Sequence, residues 1–214
     1  MPATATQDKT ANTFLLHGIS WKVYDALVNE LAEQHVSMTY DRGKLEFMSP
    51  LFEHEYCKGW IGRLIWALAV EWGINILCGG STTFRRKDLE RGLEPDECFW
   101  IAKEPAVRGK RRIDLSQDPP PDLAVEIETT RRLLDRQNIY AALGVPELWR
   151  FDGDTLRVFV LGPDGKYRQS DKSLSFPALP LAEFQTYLRR PPETPEIEWF
   201  KMFQQWARTK IKKQ

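Results

Sequence analysis

The segment Asp122-Leu123-Ala124-Val125-Glu126-Ile127-Glu128 places acidic side chains on alternate positions of an apolar run. In a strand, successive side chains point to opposite faces, so Leu123, Val125 and Ile127 line one face while Ala124, Glu126 and Glu128 line the other. One face packs and the other bears charge. Upstream, the pair Pro95-Asp96 offers a third carboxylate from a separate stretch of chain. Carboxylates gathered in a cleft repel one another unless a cation neutralises them or one takes up a proton. A hard divalent cation with oxygen ligands is the simplest remedy.

A chain of 214 residues is long enough for one sizeable core. With 42% hydrophobic and 28% charged residues it has the composition of a folded globular protein and not of a disordered one. Thirty basic residues balance thirty acidic ones, so any polyanion site must be local. Cys57, Cys78 and Cys98 form no CxxC pair, which argues against a zinc-thiolate site or a disulfide framework. The first dozen residues resemble neither a signal peptide nor an anchor, and Arg63 and Glu71 interrupt the longest apolar stretch. The expectation is a cytoplasmic protein with no membrane partner.

Along the chain, residues 1–13 read as a flexible tail. Ser20 caps a helix carrying Trp21, Tyr24, Leu27, Val28 and Leu31, followed by a hairpin around Asp41-Arg42-Gly43. Ser49-Pro50 opens a long helix with Tyr56, Trp60, Ile61, Leu64, Ile65, Leu68 and Trp72 at helical spacing, closed by Gly73. Segments 74–77, 81–86 and 97–102 look extended, and 103–121 is a charged, proline-rich connection. Residues 133–143 form a helix stopped by Gly144. Residues 147–151 and 156–161 pair around Asp152-Gly153-Asp154, a turn at Pro163-Asp164-Gly165 follows, and 181–188 and 197–211 are helical. The Trp residues of the long helix and Trp149 belong to the core. The class is α/β (α+β): a mixed central sheet flanked by helices, with an N-terminal helix and hairpin, a main domain over 14–190 and a C-terminal helical extension over 191–214.

Several stretches together carry a resemblance. Leu45-Glu46-Phe47-Met48-Ser49-Pro50, His54, Gly80-Ser81-Thr82-Thr83, Glu94-Pro95-Asp96, Asp122 to Ile127 and Gly144-Val145-Pro146-Glu147-Leu148-Trp149 occur in an order that resembles the bacterial family described as putative restriction endonucleases, within the PD-(D/E)XK nuclease superfamily. The similarity runs from about Trp21 to Val160. It implies a restriction-endonuclease-like core of four or five mixed strands, and a magnesium-dependent DNA endonuclease in which manganese substitutes. RNA is left open as a substrate, and a homodimer follows by analogy with nucleases that cut both strands. Asp96 matches the aspartate of the Pro-Asp half and Glu126 the first acid of the second half. These two, with the backbone carbonyl of Ile127 and Glu55 as an outer ligand, form the implied metal set.

The third motif position departs from the pattern. Glu128 stands where the superfamily has lysine, and the helix where many relatives place that lysine carries Arg136 and Gln137. Glu128 is assigned to hold the metal through water or to accept the proton of the attacking water. Arg136 cannot be a base, since guanidinium stays protonated, but it can clamp a phosphate. His54 and Glu55 open the long helix beside the site, and Arg85 with its neighbours Arg86 and Lys87, together with 108–112, are assigned to ring the cleft against a phosphate backbone. Two other functions compete: a nuclease fold that binds nucleic acid without turnover, motivated by the missing lysine, and an unrelated carboxylate hydrolase such as a glycosidase.

Overall fold

The computed structural model describes residues 13–32, 34, 36–129 and 132–210. The expected N-terminal tail, apart from Thr13, and the last four residues lie outside the described residues. The chain opens with β1 (Thr13–His17) and α1 (Trp21–Glu30), whose N-cap Ser20 accepts the amide of Val23. The hairpin β2 (Ser37–Asp41) and β3 (Lys44–Met48) follows, then α2 (Phe52–Trp72). Next come the short strands β4 (Leu77–Cys78), β5 (Phe84–Arg86), β6 (Arg91–Leu93) and β7 (Glu97–Trp100), and a single helical turn, α3 (Glu104–Val107). The acidic strand is β8 (Leu123–Ile127), joined through α4 (Arg136–Leu143) to β9 (Glu147–Phe151). The chain closes with β10 (Leu156–Leu161), β11 (Tyr167–Ser170), α5 (Leu181–Leu188) and α6 (Glu196–Thr209).

Local chemistry explains the clearest boundaries. Gly73 ends α2 and Gly144 ends α4 in the left-handed conformation, at φ 64° and 76°, where a side chain would clash with its own carbonyl. Asp135 caps α4 by accepting the amides of Gln137 and Asn138. Strands β9 and β10 and helix α5 have the bounds that alternation and helical spacing imply. Helix α2 starts at Phe52, two residues beyond Pro50, with Leu51 extended at its N-cap.

The sheet organisation departs from the expected single sheet of four or five strands. Two sheets form, ordered β1-β3-β2-β6-β5 and β11-β10-β9-β8-β7-β4. The first is antiparallel throughout, and the second has one parallel pair, β8 with β9, which the α4 crossover makes possible. After β4 the chain returns to the first sheet for β5 and β6, and it passes finally into the second at Glu94-Pro95-Asp96, between β6 and β7. Pro95 has no amide proton with which to continue the β6 ladder, so the backbone leaves that sheet there.

The second sheet is covered on both faces. Leu123, Val125 and Ile127 pack with Trp60, Leu64 and Phe184 beneath α2, α5 and α6. Phe203 and Ala207 of α6 are wholly buried in that same core, and the Trp72 indole donates to the Ala207 carbonyl at 3.0 Å. On the other face Ala124 packs with Ile139, Tyr140 and Leu143 of α4. The expectation that one face of β8 simply bears charge is therefore corrected: every residue of the strand is buried, as a central strand requires. Trp60 and Trp149 are core residues as expected, but Trp66, on the outer side of α2, is exposed and corrects the assignment of every Trp of that helix to the core. A third, smaller core joins Tyr24 and Val28 of α1 to Met38, Tyr40 and Leu45 of the first sheet. No helix among the described residues is long and apolar enough to cross a membrane.

Candidate active site

Register brings the two key acids together. Strands β7 and β8 run antiparallel with Glu97 opposite Val125 and Cys98 opposite Ala124. Continuing that register by one residue sets Asp96 opposite Glu126, and directly opposed residues project to the same side of a sheet. Asp96 is locked there by its Oδ2, which accepts the Ile127 amide at 2.7 Å. His54, in the first turn of α2 and wholly buried, brings Nε2 to 3.2 Å from the same oxygen, close enough for an ion pair but not aligned as a hydrogen bond. The Arg132 guanidinium lies 3.5 Å from Asp96 Oδ1. Glu126 points toward α4, where its Oε1 accepts Arg136 NH2 at 2.7 Å and the Tyr140 hydroxyl.

The first sheet supplies a second cross-strand pair. Thr39 of β2 stands opposite Glu46 of β3, both almost fully buried. Arg136 NH1 donates to Thr39 Oγ1 at 2.9 Å, and its NH2 also reaches the Glu94 carbonyl. Glu46 Oε2 accepts the amides of Leu133 and Leu134, the latter at 3.0 Å, while Arg132 NH1 lies 3.8 Å from its Oε1. Two arginines thus tie two cross-strand pairs together. Arg132 faces Glu46 and Asp96, and Arg136 joins Thr39 to Glu126.

Electrostatics follow from this packing. Burial alone would raise the Asp96 carboxyl, but His54 and Arg132 outweigh it and hold the group low, at about 2. Burial pushes the Glu126 carboxyl up; Arg136 opposes that and the charge on Asp96 adds to it. With Arg136 in direct contact, the ionised carboxylate is the form that satisfies the guanidinium, whose own proton Glu126 holds more tightly against the opposing effect of burial. Neighbouring acids titrating apart in this way are a common mark of a functional site. The Tyr140 hydroxyl is raised well above its ordinary range by burial and by Glu126, so it acts here as a donor.

The other sequence-derived candidates are dispersed around this centre. Glu128 lines the same 290 Å³ cavity as Glu126, Arg132 and Arg136, but its carboxylate is engaged by Arg150 at 2.6 Å and faces Arg157 at 3.7 Å. Ile127 presents its amide to Asp96. Glu55 and His54 line a separate 440 Å³ cavity with Asp96, Lys58 and Glu94. Arg85 is not brought to either cavity: it pairs with Asp25 of α1 at 2.8 Å, and Arg86 pairs with Asp88 at 2.6 Å. Arg108 is held by Glu104. The ring of basic residues expected around the cleft is instead Arg132, Arg136 and Arg150, all close in sequence or register to the acidic strand.

Glu46, Thr39, Arg132 and Tyr140 are site residues that the sequence reading passed over. A signal existed for Glu46, an acid between Leu45 and Phe47 in a strand that otherwise reads apolar. Tyr140 lies one helical turn after Arg136, the spacing that stacks side chains on one face. Nothing in the sequence singles out Thr39.

Asp96 and Glu126 are hard oxygen donors side by side, and two carboxylates are a usual protein contribution to magnesium when substrate phosphate and water complete its shell. No group of three His, Cys, Asp or Glu side chains that could hold a metal occurs among the described residues. The two buried carboxylates, each lining a different cavity, could supply only part of a metal's shell, the rest coming from substrate and water.

Comparison with known proteins bears on this geometry. No curated protein matches the chain. A crystal structure described as a putative nuclease belonging to DUF820 from Anabaena variabilis ATCC 29413 is similar at 17% identity and a TM-score of 0.49, covering 71% of this chain and 90% of that one. The family model Uma2, described as "Putative restriction endonuclease", matches residues 21–200, a span that includes all four members of the two cross-strand pairs and both arginines. The chain belongs to that family of restriction-endonuclease-like proteins.

Proposed function

We propose that the protein is a magnesium-dependent endonuclease that hydrolyses phosphodiester bonds of DNA. The observation that carries this reading is the buried Asp96–Glu126 pair, opposed across β7 and β8 in a protein of a nuclease family. In this reading Asp96 and Glu126 hold the cation, with Ile127 and Glu55 as its further neighbours. A bound divalent cation supplies an activated water and compensates charge on the phosphoryl oxygens.

The chain's own residues have separate tasks. Asp96, kept ionised by His54 and Arg132, presents a charged ligand at neutral pH. Arg136 stands on α4, where the superfamily resemblance would lead one to look for a lysine and the chain has none. A guanidinium cannot give up its proton, so Arg136 contributes fixed positive charge beside Glu126 rather than proton transfer, its NH1 and NH2 being held by Thr39, the Glu94 carbonyl and Glu126. Glu128 serves as proton acceptor in this scheme only once Arg150 releases it. DNA fits the reading because a neutral protein with a local arginine cluster can hold a phosphate backbone without general affinity for polyanions. We place the reaction in the cytoplasm, where the free thiols Cys57, Cys78 and Cys98 stay reduced, and in a homodimer if both strands are cut.

The test is cleavage of plasmid and linear DNA, with RNA in parallel, under magnesium, manganese and chelator. Metal-dependent nicking that vanishes in Asp96→Asn and Glu126→Gln supports the assignment. Cutting that persists in both substitutions contradicts it.

A second reading is favoured by one observation: the Arg136 guanidinium already neutralises Glu126, and the Tyr140 hydroxyl donates to the same oxygen. On this view the protein binds nucleic acid and does not turn it over. Salt-sensitive DNA binding with no cleavage under any divalent metal would establish it.

A further inference from the structure

We propose that Glu46 is a positioning residue of the active site: from the first sheet, it fixes the segment that carries Arg132 to Asp96 and Arg136 to Glu126. The role in catalysis rests on the nuclease reading above; the positioning itself does not.

A wholly buried carboxylate is costly unless it is satisfied, and Glu46 has hydrogen-bond partners on one oxygen only, its Oε1 having the charge of Arg132 at 3.8 Å and no hydrogen bond. Its Oε2 accepts two consecutive backbone amides, Leu133 and Leu134, at the turn just before α4. No regular ladder or helix bond holds those amides, because the segment lies between the end of β8 and the cap of α4. Its other oxygen faces Arg132, whose side chain is buried between Glu46 and Asp96. Without Glu46 the turn would lose two charge-assisted bonds and Arg132 one of its two counter-charges.

The consequence reaches both arginines. Arg132 sits immediately before the anchored amides and Arg136 shortly after them, so the same turn sets the position of each. Neighbouring Thr39, cross-strand from Glu46, holds the far end of Arg136. Glu46 touches neither Asp96 nor Glu126 directly; it acts through the backbone and Arg132.

The experiment compares Glu46→Ala, Glu46→Gln and Asp96→Asn in the full chain, after circular dichroism has shown that each folds. Amide hydrogen exchange at Leu133 and Leu134, Mn2+ affinity by electron paramagnetic resonance, and the kcat and KM for DNA cleavage are read on each. In Glu46→Ala the two amides should exchange at least about tenfold faster, and kcat should fall about 10- to 100-fold. Mn2+ affinity should fall far less in Glu46→Ala than in Asp96→Asn, which loses it. Glu46→Gln, whose amide oxygen still accepts backbone N–H bonds, should recover most of the protection and part of kcat. Unchanged protection in Glu46→Ala would overturn the proposal, and so would loss of Mn2+ binding equal to that of Asp96→Asn, which would make Glu46 a ligand. If the wild-type protein cuts no nucleic acid, the nuclease reading fails, and the exchange and Mn2+ arms still decide the positioning.

Discussion

The two sheets contribute to the same site in different ways. The six-stranded sheet holds Glu126 within its central strand β8, paired with Arg150 of β9, and Asp96 just before β7, where it accepts the Ile127 amide. The five-stranded sheet holds Thr39 and Glu46, which reach the site only through arginines on the segment leading into α4. One sheet presents the acids; the other positions their counter-charges. Chemistry placed on a central strand is hard to move, whereas counter-charges carried by a turn depend on every bond that anchors the turn.

Four substitutions would break or sharpen this contrast. The largest effect on stability is expected from Glu126→Ala, which leaves the Arg136 guanidinium buried without its partner and should lower unfolding free energy by about 3–5 kcal/mol. Urea denaturation measures it, and a loss below 1 kcal/mol would mean that Thr39 and Glu94 satisfy Arg136 unaided. Next comes Asp96→Asn, expected to reduce DNA cleavage about 100- to 1000-fold, roughly 3–4 kcal/mol in the barrier, with little change in fold. Single-turnover assays over a magnesium titration would detect it, and rescue at high metal would point to weakened ligation instead of lost chemistry.

On the other sheet, Thr39→Val removes one hydrogen bond to a charged group and should cost about 1.5–3 kcal/mol. If its cost in stability matched that of Glu126→Ala, the two sheets would hold Arg136 equally and the contrast would fail. The smallest change is expected from Glu128→Gln. Its ion pairs with Arg150 and Arg157 are partly exposed and screened, so stability should shift by less than about 1 kcal/mol. A collapse of cleavage in Glu128→Gln with normal stability would show that Arg150 does release this carboxylate during turnover.

Much of the fold is legible in the residues themselves. Gly73 and Gly144 stop their helices, Ser20 starts one, and the alternation in 147–151 and 156–161 marks two strands, because each of these signals acts within a few residues. The division into two sheets is not legible, since pairing between β2 and β6 joins segments far apart in sequence, and the short strands β4 to β6 carry too few residues to show a pattern. The site divides in the same way. Asp96 and Glu126 stand out by residue type and motif, while Arg85 looks equally suited to a phosphate and is drawn off instead by Asp25.

Sequence alone pointed to Asp96 and Glu126 as candidates, and determined the strand that carries Glu126 and the family to which the chain belongs. Only tertiary structure decided that both faces of that strand are covered, that Arg132 and Arg136 are the neutralising cations, and that Glu46 reaches across from the other sheet. The physical reason is that alternation and capping are properties of neighbouring residues, whereas the partner of a buried charge is set by which distant segment the core forces against it.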